Sequence, residues 1–219
     1  MKVIVTGATG MVGEGVLLEC LQAPDVTEVL VVTRRATGRR HPKLREVLLQ
    51  DFAHPEPIAS LLTGYDACFF CLGVSSVGMK EPEYTRLTYD LTLGFARVLA
   101  RQSPGLTFCY VSGAGTDSTE KGRQMWARVK GRTENELLRL PFRAAYMFRP
   151  GFMKATEGQQ NVLPMYKYFA WLYPALRRLT PGFVSTLSEL GRAMLHVTRH
   201  GYGKKVLEVK DIVTLAAQH

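Results

Sequence analysis

Three glycines spaced three residues apart, Gly7, Gly10 and Gly13, follow the apolar run Val3-Ile4-Val5 and open the first helical pattern. Glycine in that context permits a tight turn and lets main-chain N–H groups and a helix N-terminus approach an anion. The stretch Gly7-Ala8-Thr9-Gly10-Met11-Val12-Gly13 therefore reads as a cradle for a diphosphate. A second pair, Trp126 and Lys130, is one helical turn apart, so its side chains share a face. The indole can donate a hydrogen bond but cannot exchange a proton at any relevant pH. A third feature is the basic run Arg34, Arg35, Arg39, Arg40, Lys43 and Arg45. Guanidinium groups pair with phosphate in bidentate fashion. No aromatic residue interleaves the run, so base stacking has no platform and nucleic acid is not an expected partner. His196 and His200 have the i, i+4 spacing of a zinc pair, yet the Glu of an H-E-x-x-H motif is missing, and surface histidines rather than a metal site are expected.

These residues sit at element boundaries. Strand-like runs cover 2–5, 28–33, 46–50, 67–71, 107–111, 144–148 and, late in the chain, 205–209. Helical patterns cover 11–21, 82–101, 123–140 and 185–199. Continuously apolar strands separated by crossover helices imply an α/β fold, a doubly wound parallel sheet covered on both faces. In such a sheet the ligand lies beyond the carboxyl ends of the strands. The expected division is a dinucleotide-binding Rossmann domain over 1–150 and a small C-terminal lobe over 151–219, integrated with it, that contacts substrate or acts as a lid. The aromatic segment 166–173 belongs to that lobe, and a lid is favoured over peripheral membrane contact because Pro174 cuts the segment short.

The chain has 219 residues, with 28 Lys and Arg against 19 Asp and Glu, a net charge of +9. This excess attracts phosphate-bearing partners in general. Four cysteines lie in apolar segments, as buried reduced thiols do; Cys68 and Cys71, three apart on a strand, face opposite sides and are expected to be structural. The start MKVIVTG shows no secretory signal, and no stretch is long enough for an integral membrane segment, so the cytoplasm is the expected location.

The motif Thr6-Gly7-x-x-Gly10-x-x-Gly13 resembles the TGxxGxxG of the short-chain dehydrogenase/reductase superfamily, specifically its extended and atypical branches with the NAD-dependent epimerase/dehydratase-like proteins. The resemblance covers most of the chain. It implies a cofactor site made of Gly7, Thr9, Gly10, Met11, Val12 and Gly13 at the diphosphate, with Asp51 and Phe52 at the adenine. Leu72, Gly73 and Val74 would run along the cofactor, and Pro150, Gly151 and Phe152 would lie near the nicotinamide. Where an acidic residue would bind the ribose of NAD stand Arg34 and Arg35, so NADP is expected in preference to NAD. Ser112 matches the family's hydroxyl that polarises a substrate carbonyl, and Lys130 the lysine that binds the nicotinamide ribose. Trp126 replaces the catalytic tyrosine. Tyr110, Tyr84, Tyr89, Asp117 and Glu134 remain open as substitutes.

Two functions follow. One is an NADP-dependent oxidoreductase or redox-linked epimerase acting on a small carbonyl or hydroxyl substrate, with weak activity or a proton from water or another side chain. The other is a sensor or regulatory module that binds NADP(H) without chemistry. By analogy with extended relatives, a homodimer would form through the helices over 82–101 and 123–140.

Overall fold

Seven strands form one parallel sheet in the order β3-β2-β1-β4-β5-β6-β9, in a computed structural model that describes residues 1–162, 173–180 and 182–218. They are β1 (Lys2–Thr6), β2 (Glu28–Thr33), β3 (Leu44–Leu48), β4 (Ala67–Phe70), β5 (Thr107–Val111), β6 (Ala144–Arg149) and β9 (Val206–Glu208). Two further strands, β7 (Phe152–Lys154) and β8 (Val184–Thr186), pair in parallel as a separate small sheet. Order 3-2-1-4-5-6 reverses direction between β1 and β4, the topological switch point at which doubly wound folds bind nucleotides. The expected α/β doubly wound architecture is the one observed.

The central strands are apolar on both faces because helices cover both. On one side α1 (Met11–Gln22), α6 (Leu187–His200) and α7 (Val209–Ala216) close a core around Val3, Val5, Val31, Phe69 and Phe148. On the other, α3 (Leu91–Gln102) and α4 (Met125–Leu137) cover Ile4, Val32, Phe70, Phe108 and Met147. Before α3 come the short α2 (Glu81–Thr85) and a π turn at Arg86–Asp90, which divide the single helix expected over 82–101. Cys68 belongs to the second core and Cys71 packs against the first, so the pair faces opposite sides of the sheet. All four thiols are free, and burial pushes each of them up from its ordinary range.

Two glycines let α1 and α6 pack closely. A Cβ on Gly15 would stand 2.7 Å from Leu187 Cβ, and one on Gly191 would stand 2.7 Å from Glu19 Cγ. Helix α6 starts with a capping box, in which Glu189 N donates to Thr186 Oγ1 at 2.9 Å and Thr186 N to Glu189 Oε2 at 2.7 Å. Arg177 of α5 (Tyr173–Leu179) binds the same carboxylate at 2.6 Å. Helices α6 and α7 and strand β9 thus belong to the layers of the main sheet, while β7 and β8 form the separate small sheet. The aromatic segment 166–173 lies outside the described residues except for Tyr173. The late strand is shorter than expected: Glu208 and Asp211 form a second capping box, so Val209 begins α7 instead of ending β9.

Candidate cofactor and active site

The turns that follow β1, β2, β4, β5 and β6 all leave the carboxyl edge of the sheet. Gly7 takes φ of 73°, a left-handed conformation that side chains rarely adopt. A Cβ there would come within 2.7 Å of the Cys71 carbonyl carbon, and one on Gly13 within 2.2 Å of Gly7 O. The β1 turn is therefore pressed against both the β4 turn and the first turn of α1. Gly10 caps α1 with no side-chain hydrogen bond to the helix N-terminus. The leading N–H groups, on Met11 and Val12 among others, consequently have no side-chain cap, the condition for receiving a diphosphate. A nicotinamide dinucleotide fits this cradle.

The walls around the cradle place the other expected residues. Arg34 and Arg35 are exposed, and their main chain is fixed: Gln50 Nε2 donates to Arg34 O at 3.1 Å, and Thr33 Oγ1 to Arg35 O at 2.8 Å. Asp51 is exposed and accepts from Ala53 N at 2.9 Å. The Phe52 ring is turned into the core against Phe95, 5.6 Å between centroids, which leaves only its main chain to face a ligand. Gly73 is open, with nothing within 4 Å of an added Cβ, and Leu72 and Val74 beside it are half-buried. Pro150 is buried, and its carbonyl accepts from Ala114 N at 2.8 Å, tying the β6 turn to the β5 turn. Gly151 is required by proximity, since a Cβ would stand 2.2 Å from Phe183 O. Phe152 is half-buried.

Lys130 and Trp126 do share the face of α4 that meets the β5 turn. Lys130 Nζ donates to Ser112 O at 2.5 Å. Its loss of water pushes its pKa down to about 8, against an opposing pull from Glu134. The half-buried indole of Trp126 lies across Gly115, whose Cβ would be 3.5 Å from Cη2. Loop and helix approach this closely because of Gly131, where a Cβ would overlap Asp117 O at 1.8 Å.

Ser112 presents its main chain, not its hydroxyl, to Lys130. The buried Oγ is 2.5 Å from Glu134 Oε1 and 3.1 Å from Phe148 O. Glu134, fully buried, pairs with Arg149, whose Nε is 3.1 Å from Oε1. Arg149 reaches on to Glu208 at 3.2 Å and Ser118 Oγ at 2.5 Å. These carboxylates keep the guanidinium protonated although burial opposes it. Of the open substitutes for a tyrosine acid, Tyr110 and Tyr84 are buried and their phenols are pushed up by desolvation. Tyr89 lies under the Arg132 guanidinium at 4.4 Å. Asp117 accepts from Thr119 and Gly122, which holds its carboxyl below the usual range. Glu134 is taken by Arg149.

Residues not anticipated from the sequence complete the arrangement. Glu14, buried in the first turn of α1, accepts from Arg39, from Gln160 N at 2.9 Å and from Asn161 N at 2.7 Å. Gln159 Nε2 donates to Met11 O at 2.7 Å. An acid inside an otherwise apolar helix stripe, and a glycine directly after Lys130, were the available signals. His196 and His200 lie 4.8 Å apart, and among the described residues no third His, Cys, Asp or Glu completes a metal site. Among the described residues no helix is long and apolar enough to cross a membrane.

Comparison with known proteins agrees with this geometry. The chain is 29% identical over 167 residues to protein fmp52 of Emericella nidulans, a match spanning 73% of the chain and 70% of that protein. It is 27% identical over 220 residues to protein HTATIP2 of Rattus norvegicus, spanning 98% and 88%. The solved structure of Bordetella bronchiseptica WbmF in complex with NAD+ superposes with a TM-score of 0.68 at 16% identity, over 99% of this chain and 76% of that one, a likeness of fold. The fmp52 relative is named as mitochondrial, which overturns the expectation of the cytoplasm. The pattern of a secretory signal bears only on export and does not separate cytoplasm from organelle. The model of the NAD dependent epimerase/dehydratase family matches residues 3–119, more than half of the sequence, and the chain belongs to that family.

Proposed function

We propose that the protein binds NADP(H) and acts as an oxidoreductase, or a redox-linked epimerase, on a small carbonyl or hydroxyl substrate. The observation that carries this reading is the junction of the uncapped α1 N-terminus, the Gly7 turn against Cys71, and Lys130 anchored on Ser112 O. The bound cofactor would supply or accept a hydride at the substrate carbon. Met11 and Val12 N–H groups would hold the diphosphate, Arg34 and Arg35 the 2′-phosphate, and Lys130 the nicotinamide ribose. Trp126 would bound the substrate space without moving a proton. Lys130 is then the titratable side chain best placed to serve the substrate oxygen, directly or through water. Pairing of two copies through α3 and α4 is part of the same proposal and is read by sedimentation.

A sensor that binds NADP(H) without turnover is the second reading, favoured by one observation. The hydroxyl of Ser112 points at Glu134 and Phe148, so neither of the side chains expected to polarise and protonate a carbonyl is available in this arrangement. Titration with NADPH and NADH, followed by Trp fluorescence, tests the shared part. Quenching with NADPH at concentrations well below those needed for NADH supports it, and binding of neither removes both readings. Oxidation of NADPH by a panel of small aldehydes and ketones then separates enzyme from sensor.

A further inference from the structure

At the amino ends of β5 and β6, on the sheet edge opposite the cofactor turns, lies a cavity of about 420 Å³. Its wall includes Arg143, Tyr146, Arg199, His200, Tyr202 and Lys205, and no Asp or Glu. Arg199 is neutralised by Asp25, Nε to Oδ2 at 2.9 Å. Arg143 is not: its Nη2 donates to two neutral acceptors, Thr107 Oγ1 at 2.8 Å and Thr198 O at 3.2 Å. Among the described residues, its other guanidinium nitrogens have no partner, and neither Arg143 nor Lys205 forms an ion pair. Lys205 stands 4.4 Å over the Tyr146 ring and 3.4 Å from its hydroxyl. That buried phenol also accepts from Tyr202 N at 2.8 Å, which locks the 201–205 turn in place.

Uncompensated cations on a concave wall focus positive potential and concentrate small anions. A guanidinium oriented by two bonds, with free N–H groups remaining, is arranged for a phosphoryl group. The volume exceeds what one phosphate fills and falls within the range of small-molecule sites, and Tyr146 and Tyr202 add apolar surface. We propose that this cavity is a second ligand site, taking the phosphoryl group of a small organic phosphate on Arg143 and Lys205, with the organic part against Tyr202. It is independent of the cofactor reading, since it lies at the other edge of the sheet.

The test is titration of the full chain with inorganic phosphate and with phenyl phosphate, followed by amide chemical shifts at Gly201 and Tyr202. Saturable shifts there, with phenyl phosphate binding more tightly than phosphate, are expected. The exposed double variant Arg143→Gln, Lys205→Gln should weaken binding at least about tenfold, while Arg97→Gln, which removes the same kind of charge elsewhere, should change it less than about twofold. Non-saturating shifts, shifts confined to residues 7–13, or equal effects of the two variants would overturn the proposal.

Discussion

Glu134 and Arg149 form a buried ion pair between α4 and the end of β6, and Ser112 of the β5 turn joins it through Oγ. Three elements that bound the candidate site are held by one carboxylate. Removing Arg149 strands the buried Glu134 carboxylate, which costs about 3–5 kcal/mol, whereas removing Glu134 still leaves Arg149 its ion pair with Glu208. Arg149→Ala should lower stability in urea by that amount and Glu134→Ala by less, and the double variant should lose less than the sum. Additive losses would show that the pair does not act as a unit.

Gly13→Ala would place a methyl 2.2 Å from Gly7 O. The loop must shift, at about 1–3 kcal/mol, and NADPH affinity should fall with it. Gly73→Ala meets nothing within 4 Å, so its stability should stay within about 0.5 kcal/mol of the parent. If the backbone there runs beside the cofactor, Gly73→Ala nevertheless weakens NADPH binding. Paired denaturation and binding curves for the two variants measure both effects.

Arg34 and Arg35 have anchored main chains, and among the described residues their guanidinium groups meet no partner. Arg34→Gln with Arg35→Gln should weaken NADPH by about 10- to 100-fold, the loss of one or two charge-assisted contacts, and leave NADH unchanged. Equal losses for both cofactors would mean that the cluster acts through overall charge.

Lys130 titrates near 8 when folded and near its ordinary 10.5 when unfolded. Between those values the unfolded chain binds more protons, so this residue makes stability rise with pH from about 8 to 10.5. Lys130→Met should flatten that rise in a series of denaturation curves across the window. If Lys130 also delivers the proton in carbonyl reduction, turnover should fall as pH climbs through about 8, because the ammonium is then lost. A rate that holds steady to pH 9.5 would assign the proton to another source.

Much of the scaffold could be read from local pattern, because a buried parallel strand and a glycine turn are written in consecutive residues. Strand limits at 28–33 and 107–111 match the structure to the residue, and Gly7 to Gly13 sit where their spacing places them. What escaped depends on partners remote in sequence. The direction of the Ser112 hydroxyl is decided by Glu134, 22 residues later. The clasp of Glu14 joins residues 146 and 147 positions away, beyond the reach of any periodicity. Strands β7 and β8 have three residues each, too few for an alternation to register, and they pair only because the chain returns after thirty residues.

That return has a wider consequence. The chain leaves β7 at Lys154 and comes back at Val184 beside Phe152, the first residue of the same strand, with Phe152 N bonded to Phe183 O at 2.9 Å. A segment tied at both ends in this way can grow, shrink or be exchanged at small entropic cost, without shifting the register of the seven-strand sheet.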